Sequence, residues 1–202
     1  MKILAFTDIH GSSIAFKRIE SMVRVHKPDL MVCTGDISIF EHGILGILKR
    51  LNRIEKEIII IHGNHENQKT FLKYSRSLNN LTYIHNKPLI IGDLLFLGYG
   101  GGGFSITDKN FERISRNIFE PAMKDNKGKK AILLTHAPPY KTRLDKIVYG
   151  HCGNKSIRNF IEKNKIALHF CGHIHENFGK EDKIKKTRII NPGPFGKITI
   201  VN

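Results

Sequence analysis

The chain has 202 residues, of which 40% are hydrophobic, 25% charged and 8% aromatic. That apolar content excludes a disordered chain, and the composition is neither collagen-like nor that of a coiled coil. The length suits one domain, residues 1–202, whose core needs no disulfide or structural metal. Lys and Arg number 33 against 18 Asp and Glu, a formal charge of +15. Such a surplus attracts polyanions, but a nucleic-acid footprint would cluster with aromatic residues on one element. The densest basic stretch, Lys180 to Arg188, holds Glu181 and Asp182 and no aromatic residue, so the charge reads as compositional.

Lys2 to Ile9 is a β-rich apolar run, too short for the apolar part of a signal peptide. Ser12 or Ser13 can cap a helix running to about Val25. Asp29 to Ile37 predicts a second strand, Glu41 to Ile54 a helix, and Glu57 to His62 a third strand. Leu81 to His85, Pro88 to Ile91 and Leu94 to Tyr99 predict short strands or hairpins, and Asp108 to Lys127 helix and loop. Lys130 to Thr135 and Ala167 to Cys171 are buried strands around a helix at Ser156 to Lys163. Arg188 to Asn191 and Lys197 to Val201 close the chain as β segments. Unbroken apolar runs mark strands buried on both faces, and intervening helices make them βαβ units of a parallel sheet. The three cysteines, Cys33, Cys152 and Cys171, show no metal-type spacing, which suits a reduced compartment. With no stretch approaching a membrane span, a cytoplasmic protein with no membrane partner is expected.

The informative polar residues lie at the carboxyl ends of these strands. The first ends in Asp8 and His10, the second in Gly35-Asp36, and the third in Gly63-Asn64-His65-Glu66. Later strands end in Thr135-His136 and in Gly172-His173-Ile174-His175-Glu176. In open α/β sheets the ligand crevice lies outside those ends. Carboxylate, amide and imidazole donors together suit divalent Mn, Fe, Co, Ni or Zn better than Ca or Mg. Asp8, His10, Asp36, Asn64, His136, His173 and His175 are too many for one ion and enough for two that share a carboxylate. Two ions about 3.5–4 Å apart form the clamp used in phosphate-ester hydrolysis. In an extended segment, residues i and i+2 point the same way with Cα atoms roughly 6.5–7 Å apart. His173 and His175 could thus reach two different ions, and Asp8 and His10 share the spacing.

Taken singly, each piece has an ordinary reading. Asp8-x-His10 could be a capping carboxylate beside a surface histidine, Gly35-Asp36 a turn, and His136 a loop histidine before Ala137-Pro138-Pro139. Gly63-Asn64-His65-Glu66 is the most specific. Five such pieces in order, each at a strand end, decide for a metal site.

These motifs resemble the calcineurin-like metallophosphoesterase superfamily over nearly the whole chain. Gly100 to Gly103, Gly150-His151 and Asn191-Pro192-Gly193 are similar to its small, uncapped bacterial and archaeal members. The resemblance implies a single-domain α/β fold, a β-sandwich of two mixed sheets flanked by helices, with a dimetal site at the carboxyl ends of the strands. It implies that Asp8, His10, Asp36 and His175 hold one divalent ion and Asp36, Asn64, His136 and His173 the second. Manganese is the first expectation for these ions, with iron, zinc, nickel and cobalt as alternatives. His65 would be catalytic, assisting the leaving group after attack by a metal-bridging hydroxide. The implied activity is hydrolysis of a phosphodiester, cyclic nucleotides included, or of a small phosphomonoester. The alternatives are a dimetal nuclease, though nucleases of this superfamily usually add a capping domain, and a non-catalytic metal-binding scaffold.

One departure stands out. Many members carry a second Asp three residues after the bridging one, where this chain has Ile39. That argues against a protein phosphatase and makes Glu66 the candidate to orient His65. His151 is a candidate substrate contact. Gly100 to Gly103 lacks the Lys-Ser/Thr ending of a P-loop and reads as a sharp turn or close backbone passage. His26, His42, His62, His85 and His169 read as structural or surface residues. Specificity is expected in the loops Ser38 to His42, Gly100 to Lys109 and Pro138 to Gly153.

Overall fold

The computed structural model describes residues 1–75 and 77–201. The first third alternates as expected: β1 (Lys2–Phe6), α1 (Ser13–His26), β2 (Leu30–Cys33), α2 (Ile44–Asn52), β3 (Ile58–Ile60), α3 (Gln68–Ser75) and β4 (Leu81–Tyr83). Ser12 caps α1, its hydroxyl accepting from the Ala15 N–H. α2 starts three residues later than its sequence suggests because Phe40, Glu41 and Gly43 hold φ of 46°, 64° and 67°. No helix can run through left-handed residues of that kind. α3 escapes the sequence reading because only Phe71 of its residues is buried, leaving no apolar stripe.

The second part begins with β5 (Lys87–Ile91) and β6 (Leu94–Tyr99). The helical stretch that follows runs as α4 (Lys109–Ile114), a π-helical turn (Ser115–Phe119) and α5 (Glu120–Asp125). Then come β7 (Lys130–Thr135), the hairpin strands β8 (Lys146–Ile147) and β9 (Gly150–His151), α6 (Lys155–Lys163) and β10 (Ile166–Phe170). β11 (Glu181–Ile184), β12 (Thr187–Ile190) and β13 (Lys197–Ile200) end the chain. The basic stretch at Lys180 to Arg188 is therefore part of a hairpin, β11 pairing antiparallel with β12.

The strands form two mixed sheets, in the orders β13-β1-β2-β3-β4 and β11-β12-β10-β7-β6-β5. The expected parallel pairing fills the middle of each. Among the described residues, the antiparallel neighbours in these two sheets are β13, β5 and β11, on the edges, and β8 pairs antiparallel with β9 in a separate hairpin. Side chains alternate across the pleat, so Ile3 and Ala5 face the other sheet while Leu4 and Phe6 face the helices. Ile3, Val32 and Ile59 meet Phe96, Leu134 and Phe170 between the sheets. α1, α2 and α3 cover the outer face of the first sheet, and α4 and α6 that of the second. Each fully buried Phe in these layers stabilises by about 1.5–3 kcal/mol. Among the described residues no helix is long and apolar enough to cross a membrane.

The first three strands are shorter than their apolar runs, and most of the shortfall falls at the carboxyl end. β1 stops at Phe6, β2 at Cys33 and β3 at Ile60. The polar residues beyond are thereby released onto loops at one edge of the sandwich.

Candidate metal centre

Those loops turn sharply. Asp8, His10, Asp36 and His173 have φ of 52°, 43°, 49° and 71°. L residues adopt such values rarely, and strain of this kind collects at functional sites. This corrects the extended spacing expected of Asp8 with His10 and of His173 with His175. Left-handed turns aim these side chains, and His175 opens a short 3-10 turn to Asn177. Gly63 and Gly172 leave room for the carboxylates: a Cβ on Gly63 would collide with Asp36, and one on Gly172 with Thr7 and Asp8.

Seven side chains converge. His10 Nε2 lies 3.3 Å from His175 Nε2 and 3.9 Å from Asp8 Oδ1, and His175 Nε2 is 3.5 Å from the same oxygen. Asp36 Oδ2 lies 4.0 Å from His10 Nε2 and 3.1 Å from His136 Nε2, which is 3.1 Å from Asn64 Oδ1. Donor atoms of Asp8, His10 and His175 lie within 4.8 Å of one another, as do those of Asp36, His136 and His173. His65 joins His10 and Asp36 in a third such group.

The arrangement suits cations. Two imidazole nitrogens face each other at 3.3 Å, and His173 Nε2 is buried without a hydrogen-bond partner. An unpaired buried nitrogen within a cluster of donors fits a ligand position for an ion. The His10 Nδ1–H donates to Ser38 O at 3.0 Å and the His136 Nδ1–H to Thr34 O at 2.9 Å. A carbonyl only accepts, so each bond turns Nε2 toward the cluster, the usual way a protein orients a metal-binding imidazole. Nitrogen and oxygen donors without thiolate match a divalent first-row ion.

Charge follows the same logic. Burial pushes Asp36 up, but the hydrogen bond and charge of His136 outweigh it and hold the carboxyl at about 2. Burial pushes His136 down, but Asp36 carries it up to about 9, and an ion held at Nε2 would replace that proton as the partner of Asp36. Burial and the neighbouring His136 pull His173 down to about 4, leaving a neutral ring with a free lone pair.

Glu66 is not the partner of His65. Its carboxylate accepts from the N–H groups of Asp36, Ser38 and Gly63 at 3.0, 2.9 and 2.9 Å and from the Ser38 hydroxyl at 2.8 Å. It ties the loop after β2 to the loop after β3. The His65 backbone N–H donates to Asp36 Oδ1 at 2.9 Å, and its Nδ1 accepts from the Phe40 N–H at 3.4 Å. The Phe40 ring lies 4.4 Å from the imidazole. With Nδ1 accepting, the neutral ring carries its proton on Nε2, 3.9 Å from Asp36 Oδ2. A main-chain amide thus takes the place of the aspartate missing at Ile39.

His151 stands apart from the cluster. Its Nδ1 is 2.8 Å from Oδ1 of the buried Asp145, which also accepts from the N–H groups of Lys141, Thr142 and Gly153. Ile147, from the same hairpin, lines the cleft over the cluster, whereas His151 does not. His62 and His85 lie beneath the glycine run. The Gly101 N–H donates to His62 O, the Gly100 N–H to His85 Nδ1, and a Cβ on Gly100 would strike the His62 ring. His169 is buried against Thr135, and His26 and His42 are exposed. Sequence reading missed the Thr34 and Ser38 carbonyls, which have no residue-type signature. It also missed the tie made by Glu66, whose one signal was its place beside His65.

A model of the family described as calcineurin-like phosphoesterase matches residues 1–177. Among curated protein sequences none matches the chain. Similar solved structures include a protein of Thermus thermophilus, with TM-score 0.78 and 13% identity over 96% of this chain and 89% of that one. A dimetal phosphatase from Danio rerio has TM-score 0.65 at 11% identity, covering 94% of this chain and 86% of its own. Phosphopantetheinyl hydrolase from Mycobacterium tuberculosis has TM-score 0.64 at 11% identity, covering 100% and 96%. At these identities the likeness is one of fold. The matched span takes in all the converging donors from Asp8 to His175, and on that match the chain belongs to the calcineurin-like phosphoesterase family.

Proposed function

We propose that the protein is a hydrolase of phosphodiesters or small phosphomonoesters that works with two divalent ions. The observation that carries this reading is the set of nitrogen and oxygen donors gathered around Asp36, with Nε2 of His10 and His136 turned inward by carbonyls. Asp8, His10, Asp36 and His175 would hold one ion, and Asp36, Asn64, His136 and His173 the other. Manganese is the first choice, and iron, zinc, nickel or cobalt would suit the same donors. Bound ions would supply Lewis acidity, offsetting phosphoryl charge and lowering the pKa of a bound water.

The chain's own residues do the rest. Asp36 has its Oδ1 engaged by the His65 N–H, which leaves Oδ2 turned toward His10 and His136. His65 presents its Nε2–H as a hydrogen-bond donor to the departing ester oxygen, stabilising the charge that develops there, an effect worth about 10²–10³ in rate. Phe40 holds that tautomer through its main-chain N–H. The partner is a small phosphate ester, since no Lys or Arg lines the cleft among the described residues to grip a nucleic-acid backbone.

Metal analysis of the purified protein, followed by assay of aryl phosphodiesters and monoesters with added Mn²⁺, tests the reading. Stoichiometric metal with ester hydrolysis is expected. In Asp36→Asn, metal affinity should fall at least about a hundredfold and turnover about a thousandfold. Full activity in that variant would sink the assignment.

A further inference from the structure

The cleft over the cluster has a volume of about 390 Å³ and two kinds of wall. One is the donor set with His65. The other is apolar: Phe104, Ile147 and Ile174. Phe104 is 68% exposed, yet its ring sits edge-on to His173 with centroids 4.5 Å apart. Phe40, 70% exposed, tilts over His65. Exposed aromatic side chains that rim a cleft with convergent polar groups are the pattern of a ligand groove. The charged members of the wall are Asp36 and Glu176 besides histidine, with no Lys or Arg among the described residues.

A cluster of lysines lies instead at the opposite ends of the strands. Lys127, Lys129, Lys130, Lys163, Lys165 and Lys185 line a groove of about 660 Å³ at the amino ends of β7 and β10. A substrate with several phosphates, or a polynucleotide, would need such cations in the cleft itself. Glu176 would repel its additional charges.

We propose that the substrate carries a single phosphate group esterified to a planar aromatic group, which packs against Phe104 with Ile147 and Phe40 at its margins. This rests on the phosphoesterase reading and names its substrate class. The flat rings of Phe104 and Phe40 favour an aromatic partner over an alkyl chain, because aromatic pairs gain from edge-to-face and offset contacts beyond the area they bury. The product is then the free aromatic-bearing alcohol with inorganic phosphate, or with a monoester when the substrate is a diester. Water supplies the oxygen that replaces the broken P–O ester bond.

The test uses the Mn²⁺-loaded full chain and diesters that share trifluoroethanol as a non-aromatic leaving group, so that only the second group varies. The benzyl ester should exceed the methyl and octyl esters in kcat/KM by about fivefold, mainly through KM. A benzyl ester bearing a second phosphate on its ring should be at least about threefold slower than benzyl. Phe104→Ala should bring the benzyl-to-methyl ratio close to one, and Phe104→Tyr should keep it. Calorimetry with benzylphosphonate and methylphosphonate gives the same comparison without turnover, with tighter binding of the benzyl compound expected. Equal use of benzyl and methyl esters, faster octyl hydrolysis, or an unchanged ratio in Phe104→Ala overturns the proposal while the phosphoesterase reading stands. Metal-loaded protein that hydrolyses none of the esters overturns that reading, and this proposal with it.

Discussion

Asp36 and His65 show how single residues here hold several tasks at once. Asp36 faces two histidines through one oxygen and fixes the His65 main chain through the other. His65 engages Nδ1 with the Phe40 N–H and carries a proton on Nε2, which leaves no lone pair for an ion. His65→Ala should therefore keep the metal content of the native protein. Its turnover should fall about 10²–10³-fold. Loss of both metals in that variant would show His65 to be a ligand instead. Glu66 is held by four donors, and burial and the nearby Asp36 push its carboxyl up against them. Glu66→Gln would turn an amide N–H₂ toward main-chain donors and cost about 2–3 kcal/mol. For a chain of this size that lowers Tm by about 4–12 °C, readable in a melting curve. The presence of Asp36, His65 and Glu66 near the site was legible from their motifs. Their hydrogen bonds were not, because Asp36 and Glu66 are 30 residues apart and meet only when β2 and β3 pair.

At the level of elements, Asn154 joins two of the loops that border the cleft. It caps α6 by accepting from the Ile157 N–H at 3.0 Å. Its side-chain amide also donates to Ser105 O at 2.9 Å, and its backbone N–H to Pro138 O at 2.8 Å. Asn154→Ala removes a cap worth about 1 kcal/mol and strands a part-buried carbonyl. The expected loss is about 2 kcal/mol, with a rise in KM as the loop that bears Phe104 loosens. A melting curve and a KM determination on the variant check both. Strand positions were legible because buried parallel strands write themselves as apolar runs. α3 and the β8–β9 hairpin were not: one buries a single side chain, and the other has a tip whose Val148 and Tyr149 are 95% and 96% exposed.

Across the whole molecule, Glu181 links the two sheets at their edge. Its carboxylate meets Arg188 of β12 at 2.7 and 3.0 Å and Lys197 of β13 at 2.6 Å. Arg188 bonds, assisted by Lys197 and opposed by burial, hold Glu181 at about 2 against an ordinary 4.5. A carboxyl lowered by folding stabilises above its unfolded pKa and loses that contribution as pH falls through the folded one. The loss should therefore run from about pH 4.5 down to about 2. All three side chains are partly exposed, so screening limits the contribution to about 0.5–1 kcal/mol. Glu181→Gln should show a correspondingly shallower drop in Tm across that window, measured against the native chain.

The amino-acid sequence by itself determined which residue types stand at the strand ends, the parallel core of each sheet and the family. These are properties of short stretches, set by apolar runs, turn glycines and donor chemistry. The tertiary structure alone decided how the donors meet. Asp8 accepts from the His173 N–H across 165 residues of chain, and His10 reaches Ser38 across 28. Such contacts depend on how two sheets pack face to face, and no local pattern encodes that. The same packing set the apolar wall of Phe104 and Ile147 beside the site and gathered seven lysines in a groove at the other end of the strands. A charge of +15 counts residues, and only the fold assigns them a place.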